Sequence, residues 1–261
     1  MLRKFLLVEK RIGLELINSL EPEEEDIVLE LSGNEILLKE LVKLCRKVVV
    51  LEDSFGRISK LESEFASLDK IEFIHSNFLS IERLEFNKLI SGFLIDRQEI
   101  LENVLISLNK KRKEFPRVRA SILVSSRLYK LLTSEPYDIE YCFLSFLRSY
   151  LLEIRKSEKV PRNRFLPRPG YDGFFISMEP KETEADEKCL KIAKIIFLNR
   201  NQTLQRSLLK SRGLLGIGKK ELKRVLEERL PKFLSMKVFE LDTQDILEIC
   251  KRLGDVIDKK S

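Results

Sequence analysis

Asp26-Ile-Val-Leu-Glu-Leu-Ser-Gly-Asn-Glu-Ile-Leu-Leu-Lys-Glu-Leu41 decides how the rest of the chain is read. Ile27 to Leu31 is a short apolar run, of the kind that forms a parallel strand covered on both faces. Ser32, Gly33 and Asn34 make a polar turn. Ile36, Leu37, Leu38, Leu41, Val42 and Leu44 then recur at helical spacing, with Lys39, Glu40 and Lys43 between them. Strand, glycine turn and helix in this order open a doubly wound α/β sheet, which holds nucleotides off the carboxyl ends of its strands. Loops of this kind bring backbone close to a ligand across glycines, and here only Gly33 is left to do so.

Outward from this unit the alternation continues. Lys47–Asp53, Lys70–His75, Phe86–Ile95 and Val118–Ser125 read as further strands, Arg57–Leu68 and Gln98–Asn109 as helices. Residues 1–20, with Leu6, Leu7, Ile12, Leu16 and Ile17 apolar, read as a leading helix. Strands alternating with helices predict a parallel sheet with helices on both faces. The second strand ends in Glu52, a carboxylate suited to a ribose hydroxyl pair. The third is followed by Ser76 and Asn77, where an amide can face an adenine edge.

Composition narrows the class. A chain of 261 residues, 43% hydrophobic, can bury the core of an α/β domain and a smaller second one. No apolar run is long enough to span a bilayer, and Met1–Leu20 lacks the neutral centre of a secretory signal, so a cytoplasmic protein without membrane partners is expected. The four cysteines (Cys45, Cys142, Cys189, Cys250) are far apart and His75 is the sole histidine, which argues against a metal site and for buried reduced thiols. The net charge of +6 is mild but unevenly spread. Asn109–Lys130 holds eight basic residues against Glu114, and Lys188–Lys232 holds thirteen against Glu221, Glu227 and Glu228. Such excesses attract a phosphate backbone, although solvated helix faces show charge runs too.

The carboxyl-terminal half begins with an aromatic stretch, Tyr141 to Tyr150. Pro161, Pro167 and Pro169 then forbid a helix and stiffen a loop that carries Arg162, Arg164 and Arg168. Phe174–Met178 returns as a strand and Pro180–Glu187 is an acidic linker. Residues 1–180 therefore form the α/β domain and 188–261 a small helical one. Within the latter, Gly216-Ile-Gly218 followed by Lys219 and Lys220 suits a helix-hairpin-helix phosphate turn or an ordinary helix C-cap.

The order of these pieces resembles the rRNA adenine dimethyltransferase family, which includes related mitochondrial transcription factors. Phe165, Pro167, Pro169 and Asp172 match its Phe-x-Pro-x-Pro-x-Val-Asp-Ser loop. Phe197, Arg200, Thr203 and Leu204 match its Phe-Gln-x-Arg-Arg-Lys-Thr-Leu helix, Lys237–Glu248 resembles its closing segment, and Lys4-Phe-Leu6 its opening Gln-x-Phe-Leu. The resemblance implies a Rossmann-like S-adenosylmethionine-dependent methyltransferase fold with a small all-helical carboxyl-terminal domain. It also implies methylation of adenine exocyclic amines in small-subunit rRNA.

The family's cofactor motif, Glu-x-Gly-x-Gly-x-Gly, is Glu30-Leu-Ser-Gly-Asn-Glu35 here, so Glu30, Gly33, Glu52 and Asn77 are the implied cofactor contacts. The catalytic Asn-Leu-Pro-Tyr, which accepts hydrogen bonds from the target amine and stacks on its base, is Gly92-Phe93-Leu94-Ile95. Gly92 has no acceptor and Ile95 no ring, so no catalytic residue is assigned. Phe93 and Phe165 remain as rings for stacking a base. The expectation is a non-catalytic, monomeric family member that binds small-subunit rRNA or a pre-ribosomal particle during ribosome assembly, with duplex nucleic acid as a further partner. Its RNA contacts would be Lys110, Lys111, Arg112, Lys113, Arg162, Arg164, Phe165, Arg168, Arg200, Arg206 and Lys210. The alternatives are an active dimethyltransferase using S-adenosylmethionine and a DNA-binding transcription factor of the same fold.

Overall fold

The computed structural model describes residues 4–257. Their strands are β1 (Leu6–Leu7), β2 (Ile27–Leu31), β3 (Lys47–Glu52), β4 (Ile71–His75), β5 (Lys88–Ile95), β6 (Arg119–Ser125), β7 (Leu152–Val160), β8 (Phe165–Leu166) and β9 (Gly173–Pro180). The helices are α1 (Lys10–Leu20), α2 (Glu35–Leu41), α3 (Phe55–Glu64), α4 (Gln98–Lys111), α5 (Ser126–Thr133), α6 (Phe143–Leu151), α7 (Glu187–Phe197), α8 (Leu204–Lys210), α9 (Arg212–Leu215), α10 (Lys219–Arg229) and α11 (Thr243–Ile257). The chain divides into two compact units. One comprises residues up to Tyr129 together with Leu151–Thr183, the other Lys130–Tyr150 and the chain from Glu184 onward. No helix among the described residues is long and apolar enough to cross a membrane.

The first unit is a mixed sheet in the order β4-β3-β2-β5-β6-β9-β7, parallel from β4 to β6 and antiparallel at β9 and β7. Every residue of β2 and β5 is buried, as strands covered on both faces require. Leu16, Ile17, Leu20, Leu37, Leu38 and Leu41 of α1 and α2 join Val28, Val50 and Ile90 in the core. The fold expected from sequence is present, with three local corrections.

The leading helix starts only at Lys10. Leu6 and Leu7 are instead strand residues, pairing with Phe93 and with Leu166 and Phe165, and Met1–Arg3 lie outside the described residues. The β7 strand has no counterpart in the sequence reading, because it is an edge strand whose Glu153, Arg155, Lys156, Glu158 and Lys159 mask any apolar alternation. The aromatic segment before it, read within the first domain, joins the helical unit. Tyr141, Phe143 and Phe146 surround Phe197 of α7, with ring centroids 5.5, 6.4 and 6.2 Å away. In that unit Gly216 caps α9 in the left-handed conformation and Gly218 precedes α10, with Ile217 buried between them.

Candidate functional site

Strand order reverses between β2 and β5, and in an open α/β sheet the crevice at that switch point, off the strand carboxyl ends, is where ligands sit. Glu30 of β2 lies there, fully buried. It accepts from Gly33 N at 2.5 Å and Gly92 N at 3.3 Å, tying the β2–α2 loop to β5. Burial pushes its carboxyl up to about 7, against the lowering effect of the backbone N–H groups around it. The loop keeps a left-handed backbone at Ser32 (φ 100°) and Gly33 (φ 62°), which is strained at the serine. A Cβ on Gly33 would lie 2.3 Å from Leu61 Cδ1 of α3, so the loop packs closely on that helix.

Asn34 closes the crevice. Its Oδ1 caps α2 by accepting from Ile36 N and Leu37 N at 3.1 and 3.3 Å. Its Nδ2 donates to Leu7 O at 3.0 Å and Gly92 O at 3.1 Å. The amide thus has no hydrogen to spare, and the residue is buried. A Cβ on Gly92 would lie 2.2 Å from Asn34 Cβ and 2.8 Å from its Cγ, so Asn34 occupies the space a side chain at position 92 would enter.

The rings expected to stack on a base are both inside. Phe93 is 1% exposed and meets Phe78 with centroids 5.2 Å apart, while β1 pairs with β5 alongside it and Leu94 N donates to Phe5 O at 2.9 Å. Leu94 and Ile95 are buried as well. Phe165 is 2% exposed, its strand paired to β1 and its ring filling the room left by Gly173. As arranged, neither ring is open to a base, which corrects that part of the sequence reading.

At the end of β3, Glu52 is completely buried and already engaged. Its Oε1 accepts from the Lys4 ammonium and from Ser54 N (2.8 Å), while Arg57 Nε approaches Oε2 to 3.2 Å. Lys4 Nζ also lies 2.6 Å from Asp53 Oδ1 and 4.7 Å from the centre of the Phe78 ring. Arg57 donates to Ser32 O at 3.0 Å and Gly33 O at 3.1 Å, pinning the loop from the other side. Burial holds the Glu52 carboxyl above its ordinary range. At Asp53 burial is outweighed by Lys4 and Glu52, and the carboxyl falls below its own. Asn77 is exposed and turns its Oδ1 to Leu79 N at 2.8 Å, while Glu35 faces away to Lys60 at 3.7 Å.

The basic residues fall into separate groups. Helix α4 leaves the carboxyl end of β5 and runs back, so Lys110–Lys113 lie at the amino ends of the strands, away from the 162–168 loop. There Lys110 pairs with Glu82 (2.6 Å), Lys111 with Glu114 (3.3 Å) and Arg112 with Glu182 (3.5 Å), while Lys113 is exposed. Arg164 pairs with Glu9 at 2.6 Å; Arg162 and Arg168 are exposed. In the helical unit Arg200 donates to Tyr141 O at 3.3 Å, and Arg206 and Lys210 lie exposed on α8.

The family model described as ribosomal RNA adenine dimethylase matches residues 4–236. The chain belongs to that family. A probable ribosomal RNA small subunit methyltransferase A from Thermococcus gammatolerans is 31% identical over 237 residues, covering 90% of this chain and 82% of its own. Its namesake from Methanococcus maripaludis is 29% identical over 260 residues and 96% of each chain. A dimethyladenosine transferase from Plasmodium falciparum superposes with a TM-score of 0.73 at 17% identity, covering 96% of this chain and 98% of that one. The 23S rRNA methyltransferase ErmE does so at 0.59 and 18%, covering 95% and 99%. At these identities the solved structures speak for the fold, which is a Rossmann-like methyltransferase fold.

The family resemblance implies S-adenosylmethionine, and the residues as they stand do not fit it. Glu52 meets two of the chain's own cations instead of a free hydroxyl pair, and Asn34 spans the loop to β1 and β5. Sequence reading reached Glu30, Gly33 and Glu52 but gave Lys4, Asn34 and Arg57 no part in the site. Two signals mark the last two. Asparagine has entered the glycine motif where the catalytic position has become glycine, and Arg57 follows Glu52 just inside the next helix.

Proposed function

We propose that this family member binds small-subunit rRNA, or a particle containing it, and does not transfer methyl groups. The observation that carries this reading is the pair Asn34–Gly92. The position that should present an acceptor to the target amine has no side chain, and the space for one is taken by an amide already committed to four hydrogen bonds. The α/β domain would contribute Arg162 and Arg168 to RNA, and the helical domain Arg206 and Lys210 of α8. These side chains neutralise phosphates, so affinity falls with salt. The double substitution Arg206→Glu/Lys210→Glu is expected to weaken binding to small-subunit rRNA by on the order of tenfold and to reduce the slope of log K against log salt by about 1.5. An unchanged slope in filter binding would remove α8 from the interface.

The direct test is incubation of an unmethylated small-subunit particle with the protein and methyl-labelled S-adenosylmethionine. Binding without label in adenine is expected. One observation favours the second reading, an active dimethyltransferase with a diverged pocket: Glu52 Oε2 is buried with no donor aligned to it, so one acceptor for a ribose hydroxyl persists. Dimethyladenosine formed over several turnovers would establish that reading instead.

A further inference from the structure

Glu52, Asp53 and Phe78 converge on one nitrogen. The Lys4 ammonium, on a side chain only 8% exposed, bonds Glu52 Oε1, lies 2.6 Å from Asp53 Oδ1 and sits 4.7 Å from the centre of the Phe78 ring. Two carboxylates and a ring face form the surroundings that favour a primary ammonium, which carries charge and three N–H donors. A neutral diol brings no charge, so it would leave Asp53 without the cation it has here and Glu52 with Arg57 alone. The rest of the cluster agrees. The Arg57 guanidinium faces Glu52 from the opposite side but is held by Ser32 O and Gly33 O, so it cannot move across to replace Lys4. Glu52 Oε2 lies on the Arg57 side, 3.2 Å from Nε without an aligned hydrogen-bond donor, so Oε1 is the oxygen committed to Lys4. Lys4 stands two residues before β1, on a segment that Asn34 holds at Leu7 O and Leu94 at Phe5 O.

We infer that the carboxyl end of β3 is an alkylammonium-binding cage, filled in this chain by its own Lys4, and that its specificity is for a primary ammonium rather than for a nucleoside. This deepens the non-catalytic reading and rests on it. A tethered ammonium is always at hand, whereas a free ligand must displace it from two carboxylates.

Lys4→Ala removes the equivalent of a propylammonium ion. The variant is expected to melt roughly 10 °C lower, since it leaves a buried carboxylate without its partner. Propylammonium chloride at ten times its dissociation constant should return roughly 4 °C. Equal concentrations of potassium chloride or tetramethylammonium chloride, which offers no N–H, should return none. Lys4→Met keeps the apolar stem and separates packing from charge; it too should melt below the parent. Propylammonium no better than potassium chloride, or Lys4→Met melting with the parent, would overturn the cage. Binding of small-subunit rRNA by Lys4→Ala, measured in parallel, keeps the two readings apart: unaltered rRNA affinity with no rescue removes the cage alone. Methyl transfer by the unaltered protein removes the non-catalytic reading and the cage's ligand preference with it.

Discussion

Gly92→Ala is expected to destabilise the protein by about 3 kcal/mol, at the upper end for overpacking a core. The added carbon would sit 2.2 Å from Asn34 Cβ, an atom fixed to backbone at the start of α2 and unable to swing aside. This gives the effect a distinctive genetics. Asn34→Ala keeps the offending Cβ and should not rescue Gly92→Ala. Asn34→Gly removes it and should, even though alone it forfeits the hydrogen bonds to Leu7 O and Gly92 O, each worth about 1 kcal/mol net. A double-mutant cycle from urea midpoints should therefore show a favourable coupling of about 2 kcal/mol for Gly92→Ala with Asn34→Gly and little with Asn34→Ala. Equal rescue by both would mean that Asn34 does not fill the position.

Glu30 should make stability depend on pH in the opposite sense to an ordinary ion-paired carboxylate. Its folded pKa is raised to about 7 from 4.5, so the folded protein holds a proton that the unfolded chain releases. The stabilising contribution is complete below about 4.5 and is lost as pH rises towards 7, a span of about 3 kcal/mol. Glu30→Gln cannot titrate, so the difference in unfolding free energy between parent and variant should change by that amount between pH 4.5 and 8. Parallel pH profiles would show that Glu30 does not titrate in this range. Glu30→Ala should be destabilised at every pH, because Gly33 N and Gly92 N both lose their acceptor in the interior.

The elements legible in sequence are those whose signal is local. A short apolar run, interrupted only by Glu30, marked β2, and apolar residues at helical spacing after a polar turn marked α2, whose N-cap proves to be Asn34. The family motif around Phe165–Pro180 was equally local, and the family match supports it. What escaped was set by partners far away in the chain. Leu6 and Leu7 fit a helix until Phe93, Phe165 and Leu166 are there to pair with them. Phe93 and Phe165 look like stacking rings until Phe78 packs on the one and the core takes in the other. Basic residues 110–112 form a positive run in sequence, and Glu82, Glu114 and Glu182 offset them in space. Lys4 is forty-eight residues from the carboxylate it fills, a separation no spacing rule reports.

The closed crevice is tested most directly by titrating S-adenosylmethionine into the unaltered protein in a calorimeter, with the melting temperature followed alongside. Neither heat nor a rise in melting temperature at millimolar ligand is the expected result, with rRNA binding retained. Micromolar binding would contradict it, since Lys4 would have to leave Glu52 and the loop held by Asn34 would have to admit the cofactor.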